Sequence, residues 1–444
     1  MGTRLLVIGG DAGGMSAALQ ARRGAPDLEI VALEQGRWTS YSACGIPYLT
    51  GGSISAVDDL VVRSPDELRA RRIDVRTGHR AVSLDLAAGK VEVHNLTHGR
   101  AFHLGFDLLL LATGARPRRP ALEGIDEAHV HGVQTLDDAA RLLDDVKRRR
   151  PQSVAVIGGG YIGLEMAEAF VERGARVTVL EHGREVMSTL DAEVGAEIGK
   201  VMRTMGIDVR TGVEVRSIGT RTVVTSEGEI PADLVVLGTG VEPNADLGVA
   251  AGLETGPQGA LVVDRRQRTS AEGIWAAGDC CQSINRVTGR MGYEPLGTVA
   301  NKMGRVAGIN LSGGYATFPG VLGTAVTRVC QLEVGRTGAS RAEAEAAGFE
   351  VVDGSAESTT TAGYLADARP TTVKMLAEKS TGRVLGVQSY GGAGSAKRID
   401  VAATAIAAEM TVEDIVGLDL SYAPPFSPVW DPLQAAARVL RSKL

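Results

Sequence analysis

The thiols of this 444-residue chain are four, Cys44, Cys280, Cys281 and Cys330. Cys44 stands alone in "SYSACGIPYLTGG" (40–52), among small residues, with Gly45 and Pro47 just behind it. A lone cysteine in apolar surroundings ordinarily serves as a small core residue. It can also exchange with a sulfur supplied from outside the chain, which is redox chemistry. Cys280 and Cys281 are adjacent, and neighbours in sequence close only a strained disulfide ring, so they read as buried filler, as does Cys330. The seven histidines lie between positions 79 and 182. No spacing of histidine, cysteine or carboxylate suggests a metal site.

The elements able to deliver electrons to a thiol appear as an internal repeat. Residues 5–34, "LLVIGGDAGGMSAALQARRGAPDLEIVALE", and residues 154–181, "VAVIGGGYIGLEMAEAFVERGARVTVLE", have one pattern: buried strand, glycine turn, helix, strand ending in glutamate. Glycines at such a turn permit the bend and the approach of a pyrophosphate, and they let helix and strand pack closely. The second copy has the full G-x-G-x-x-G spacing in Gly158, Gly160 and Gly163, and ends in Glu181. The first copy keeps Gly9 and Gly14, has Asp11 at the middle position with Gly13 partly compensating, and ends in Glu34. Two dinucleotides are expected, each in its own domain. The Glu181 carboxylate would repel a 2'-phosphate and so favours NADH over NADPH, although Arg184 could make room for one. "LLLATGARP" (109–117), with Thr113 and Gly114, and "VVLGTGVEPN" (235–244) each read as a strand entering a turn that returns the chain between domains. In "GIWAAGDC" (273–280), Gly278 and Asp279 form a turn whose acid can hold ribityl hydroxyls or, alternatively, cap the next helix.

The bulk numbers agree with an ordinary soluble globular protein of two or three domains. Hydrophobic residues make up 44%, charged residues 23%, and glycine is abundant at 57, suiting tight turns and close backbone approach. A net charge of −6 gives no reason to expect nucleic acid or an anionic membrane as partner. A strand pattern begins at Arg4 and no apolar run has the length of a membrane span, so a cytoplasmic location is expected. The terminal Ser442-Lys443-Leu444 also spells a peroxisomal address.

Taken together, these residues resemble the pyridine nucleotide–disulfide oxidoreductases over essentially the whole chain. The resemblance implies an α/β fold with two Rossmann-like dinucleotide-binding domains, glutathione-reductase-like, plus a C-terminal α+β dimerisation domain. It places an FAD domain at 1–120 and 245–318, an NAD(P)H domain at 121–244, and the dimerisation domain at 319–444. FAD would contact Gly9, Gly13, Gly14, Glu34, Thr113, Gly114, Gly278 and Asp279; NADH or NADPH would contact Gly158, Gly160, Gly163 and Glu181. The C-x-x-x-x-C pair of several branches is missing, and no histidine lies in the C-terminal part to act as base. What remains looks like the single-cysteine branch. "CGIPY" (44–48), "FPGVLGTAV" (318–326), "AKRID" (396–400) and "YAPPFSPVWDP" (422–432) closely resemble the coenzyme A disulfide reductases.

That likeness implies reduction of a low-molecular-weight disulfide by a redox-active Cys44, whose thiol a helix N-terminus and the flavin would make more acidic. The cysteine would carry CoA as a mixed disulfide, or pass through a sulfenic acid or persulfide as in NADH oxidases, peroxidases and persulfide reductases. Tyr422 and Tyr364 match tyrosines that reach into the partner subunit's site, which implies a homodimer. Ser16, Gln20, Arg22, Arg23, Ser40, Arg72 (or Arg71) and Asn301 match positions that contact the thiol substrate. Ala43, Gly363 and Trp430 depart from the pattern near the expected substrate channel, so a thiol other than CoA, a polysulfide or oxygen stays open as acceptor. A flavin-bearing redox sensor is the reading outside enzymes.

Overall fold

Leu5, Leu6 and Val7 are buried throughout, as a strand covered on both faces of a parallel sheet must be. In the computed structural model, which describes residues 2–444, this strand (β1, Arg4–Ile8) is central to five parallel strands. Their order is Ile274–Ala276, Leu108–Leu111, β1, Glu29–Glu34 (β2) and Asp74–Thr77. The helix Ala12–Gly24 (α1) crosses from β1 to β2, setting Leu6 beside Val31 and Leu109. A second sheet repeats the plan, with Ser153–Ile157 central between Arg176–Glu181 and Leu234–Leu237, and Asp208–Thr211 and Val130–Gly132 at the edges. Each sheet has a three-stranded antiparallel meander inserted in it, His79–Gly105 just before Leu108–Leu111 and Val215–Pro231 just before Leu234–Leu237. The paired strands Ala115–Pro117 and Val241–Pro243 carry the chain between the two units.

The C-terminal unit is an antiparallel sheet, ordered Ala325–Val329, Leu332–Gly338, Val384–Gly391, Pro370–Glu378 and Val351–Thr359. Its last helix, Pro432–Arg441, starts where Pro432 needs no partner for its nitrogen and the Asp431 carboxylate accepts from the Leu433 amide at 2.9 Å. Leu433, Ala436, Ala437 and Leu440 form its buried stripe. A Cβ at Gly354 would lie 2.7 Å from the Leu440 nitrogen, so that glycine lets helix and strand meet. No helix among the described residues is long and apolar enough to cross a membrane.

One helix gathers the three units. Tyr161–Glu172, following the second glycine turn, shares a core with Ile46 and Leu49 of the short helix Ile46–Gly51 (α2) behind Cys44. The hairpin Ala325–Gly338 joins it from the C-terminal unit through Val329, Cys330 and Val334. Thr327 donates its hydroxyl to Glu165 at 2.6 Å, and the Cys330 amide donates to Glu168 at 2.9 Å. Lys374, buried on the C-terminal sheet, pairs with Asp191 and Glu193 at the start of the helix Ala192–Thr204.

Candidate active site

The two glycine turns are built alike. Gly9 and Gly158 have φ of 115° and 104°, a region open to glycine, and a Cβ on either would overlap a carbonyl, of Ala112 or Gly238. A Cβ at Gly14 or Gly163 would overlap the Gly9 or Gly158 carbonyl, so these glycines admit the helix to the strand. The closing glutamates are also matched. Glu34 accepts from the amides of Gly10 at 2.8 Å and Gly36 at 2.6 Å; Glu181 accepts from Gly159 and Gly183, both at 2.6 Å. The remaining lone pairs of each carboxylate are available to a ribose diol. Burial pushes the Glu34 carboxyl up against the pull of these amides.

Around the first turn, a Cβ at Gly13 would stand 3.1 Å from the Ala277 oxygen, and Gly304 of the helix Gly297–Leu311 packs against the Gly13 carbonyl. Gly114 and Gly278 have φ of 71° and 85°. Thr113 donates to the Asn244 carbonyl at 2.5 Å. Asp279 caps no helix: a strand, Ser283–Ile284, is the next element. Its Oδ1 is buried without a partner, and burial raises its carboxyl to about 6. An orphaned buried oxygen facing a glycine cradle suits the hydroxyls of a flavin side chain. At the second turn, a Cβ on Gly160 would meet nothing nearer than the Gly238 oxygen at 3.9 Å, which leaves space for a pyrophosphate.

Cys44 lies in the 3₁₀ turn Ala43–Gly45, ahead of α2, and is the exposed member of the four cysteines; the other three are buried. A Cβ at Gly45 would press on the side chain of Leu60. The Cys280 and Cys281 thiols share a hydrogen bond at 3.6 Å and form no disulfide. In the flavin-free protein the helix start alone does not make the thiol acidic. Desolvation pushes the Cys44 thiol up, and the carboxyls of Glu165, Asp279 and Asp11 add to the rise. α2 has only six residues and begins after Gly45, so its dipole is too small and too far along to prevail. Any acidification must come from a bound group.

Of the residues expected to hold the thiol substrate, Ser16 and Asn301 meet, hydroxyl to amide oxygen, at 2.6 Å. Arg22 donates to the Pro26 and Arg72 carbonyls, both at 2.6 Å, while its Nε is buried without a partner. Arg22, Arg69 and Arg72 line a cavity of about 480 Å³ with Asp27, Glu29 and Asp74. Arg23 is exposed and lines no part of it, and Gln20 packs beside Gly308. Ser40 holds φ of 48° and donates its amide to the Gly10 carbonyl at 2.9 Å. Tyr364 and Tyr422 are 76% and 49% exposed on the C-terminal unit. Within one chain, neither is a leading influence on the Cys44 thiol.

The motif reading missed Glu165, which ranks next to burial in its effect on Cys44. An acid inside the otherwise apolar stretch "YIGLEM" (161–166) was its signal. It also missed the Tyr41 amide, which donates to Asp11 at 3.0 Å.

Two dinucleotide-binding units joined to an antiparallel C-terminal sheet, with one accessible cysteine between them, define a flavoprotein reductase architecture. Residues 3–300 match the pyridine nucleotide-disulphide oxidoreductase family, and residues 324–433 match its dimerisation domain. The chain is 37% identical over 443 residues to the NAD(P)H sulfur oxidoreductase (CoA-dependent) of Pyrococcus abyssi, covering 98% of each. It is 34% identical over 447 residues to an NADH oxidase of Methanocaldococcus jannaschii, covering 99% of each. Among solved structures it is similar to an NAD-dependent persulfide reductase from A. fulgidus, with a TM-score of 0.96 and 38% identity, over 99% of this chain and 83% of that one. The chain belongs to the pyridine nucleotide-disulphide oxidoreductase family and is an FAD- and NAD(P)H-dependent oxidoreductase.

Proposed function

We propose that this protein reduces a low-molecular-weight disulfide, of CoA or a similar thiol, through Cys44, acting in the cytoplasm as a homodimer. The observation that carries the reading is the exposure of Cys44 beside the burial of the other three cysteines. A thiol with no partner in reach must exchange with a sulfur from outside.

Bound FAD supplies the two-electron link between the nicotinamide and the thiol. The chain's own part begins with the glycine turns and Asp279, which hold FAD, and with Gly158, Gly160, Gly163 and Glu181, which hold the nicotinamide dinucleotide. Glu181, fixed by two amides, stands as a negative charge where a 2'-phosphate would lie, which supports NADH. The Cys44 thiolate attacks one sulfur of the substrate disulfide, forming a mixed disulfide and releasing the other half as a thiolate. That thiolate takes a proton from the hydroxyl of Tyr422 or Tyr364 of a partner subunit. The two electrons delivered from the nicotinamide then break the mixed disulfide, freeing the second thiol and restoring the Cys44 thiolate. The exposed apolar patch of Tyr364, Tyr422, Phe426, Val429 and Trp430 supports a partner copy covering this face. Arg22 and Arg72, tied together over their cavity, supply cations for the phosphates of a CoA-type thiol.

Intact mass of the purified protein, with and without reductant, tests the partner of Cys44. Loss of one CoA mass on reduction is expected; an unchanged mass removes CoA from the reading. Cys44→Ser should keep its flavin and lose disulfide reduction, and retained reductase activity overturns the mechanism. Reoxidation of the NADH-reduced protein by oxygen, and not by CoA disulfide, would point instead to an oxidase like the Methanocaldococcus relative.

A further inference from the structure

Asp11 occupies the middle glycine position of the first turn. Its backbone has φ −108° and ψ −153°, close to the φ −81° and ψ −175° of Gly160 at the same place in the second turn. Both are extended conformations open to any residue, so the backbone does not demand glycine here. What a side chain at this position threatens is the space through which a pyrophosphate passes. Asp11 meets that demand by turning aside: its Oδ1 accepts the Tyr41 amide at 3.0 Å. Tyr41 lies in the same loop as Cys44, and its neighbour Ser40 donates to the Gly10 carbonyl at 2.9 Å. Adjacent residues of the cysteine loop are thus tied to adjacent residues of the cofactor turn, once through backbone and once through the Asp11 side chain.

We propose that Asp11 is a positioning residue for Cys44: its carboxyl pins the Tyr41 amide, clears the pyrophosphate path, and fixes the cysteine loop to the turn that carries the cofactor. The second turn has glycine at the matching position and so has no side chain to make such a tie. Asp11 is surrounded by the carboxyls of Glu34 on β2 and Asp279 beyond the strand Ile274–Ala276, with Tyr41 and Cys44 on the loop side. Burial among these acids raises it to about 7, so the hydrogen bond to Tyr41 is held by a group near its own midpoint.

The proposal rests on Cys44 being the reactive thiol, and its test separates the two claims. Hydrogen exchange and turnover are measured on the flavin-loaded protein, as Asp11→Gly, Asp11→Asn and the parent. Asp11→Gly restores the glycine pattern and removes the tie, while Asp11→Asn keeps a carbonyl acceptor and removes only the charge. Exchange at the Tyr41 amide should rise on the order of tenfold in Asp11→Gly and stay near the parent's in Asp11→Asn. Turnover per bound flavin should fall in the first and recover in the second, with KM for NADH unchanged in both. Exchange on the strand Pro370–Glu378 serves as the folding control. Equal Tyr41 exchange in Asp11→Gly and the parent, or an asparagine variant no better than the glycine one, overturns the proposal. Disulfide reduction retained by Cys44→Ser removes the reading of the active thiol and leaves the exchange result standing.

Discussion

The two dinucleotide turns begin from nearly the same backbone and end in opposite surroundings. The first is sealed by a helix of its own unit, since Gly304 and Gly308 of Gly297–Leu311 let that helix press on Gly13 and Ala17 of α1. It is also enclosed by acids: Asp11, Glu34 and Asp279 are all raised by burial. The second turn is left open at Gly160. The helix behind it is covered by α2 and by the C-terminal hairpin, which come from elsewhere in the chain. A sealed turn suits a cofactor that stays, and an open one suits a cofactor that enters and leaves each cycle. The same local motif is therefore packed differently in its two copies.

The largest expected break in this contrast comes from Gly304→Ala, whose Cβ would overlap the Gly13 carbonyl. Forcing the sealing helix outward should cost about 3 kcal/mol and leave purified protein poor in flavin, read from the flavin-to-protein absorbance ratio and a thermal melt. A parent-like flavin content would show that the helix does not seal the turn.

The acids of the first turn give the next effect, in flavin-free protein. The Asp11 and Asp279 carboxyls lie at about 7 and about 6 when folded, against 3.8 for a free aspartate. The folded chain then binds more protons than the unfolded one above pH 3.8, so stability is full below that value and falls as pH rises towards 6 and 7. The loss reaches ~3 kcal/mol for Asp279 and ~4 kcal/mol for Asp11. Asp279→Asn should lessen the decline from 3.8 to about 6, and Asp11→Asn should lessen it from 3.8 to about 7, in denaturant titrations at stepped pH.

A smaller effect sharpens the contrast from the other side. Gly160→Ala puts a Cβ into open space and should leave the melting temperature unchanged, while KM for NADH rises on the order of tenfold (~1.4 kcal/mol). An unchanged KM would mean that the pyrophosphate does not pass there. The smallest expected change is at Cys44, where Glu165→Gln removes the leading charge that raises the thiol. Its alkylation midpoint should fall by less than about one pH unit in the flavin-free protein.

Much of this site is legible along the chain because its parts are local. Gly9, Gly14, Gly158 and Gly163 announce themselves by spacing, since each is required by a contact inside its own strand–turn–helix unit. Glu34 and Glu181 close the same units and are found in the same way. Cys44 stands out by elimination, as the other cysteines lie in core contexts. The thiol's raised position was not legible. Glu165 reaches it from the other dinucleotide unit and Asp279 from a distant turn of its own, and neither closeness is written in the local sequence. Arg22 could be read as a phosphate ligand, but its hold on the Arg72 carbonyl depends on two segments folded together.

By itself the sequence determined the two cofactor turns, their acids, and the isolation of one cysteine, because backbone conformation and close approach at a glycine turn are settled within some thirty residues. Tertiary structure alone decided which turn is sealed and which is open, and what electric field Cys44 meets. It also decided that Asp11, an irregularity in a motif, bends away to hold the cysteine loop. Those outcomes depend on which distant surfaces are packed together, and desolvation and charge act through space without regard to position along the chain.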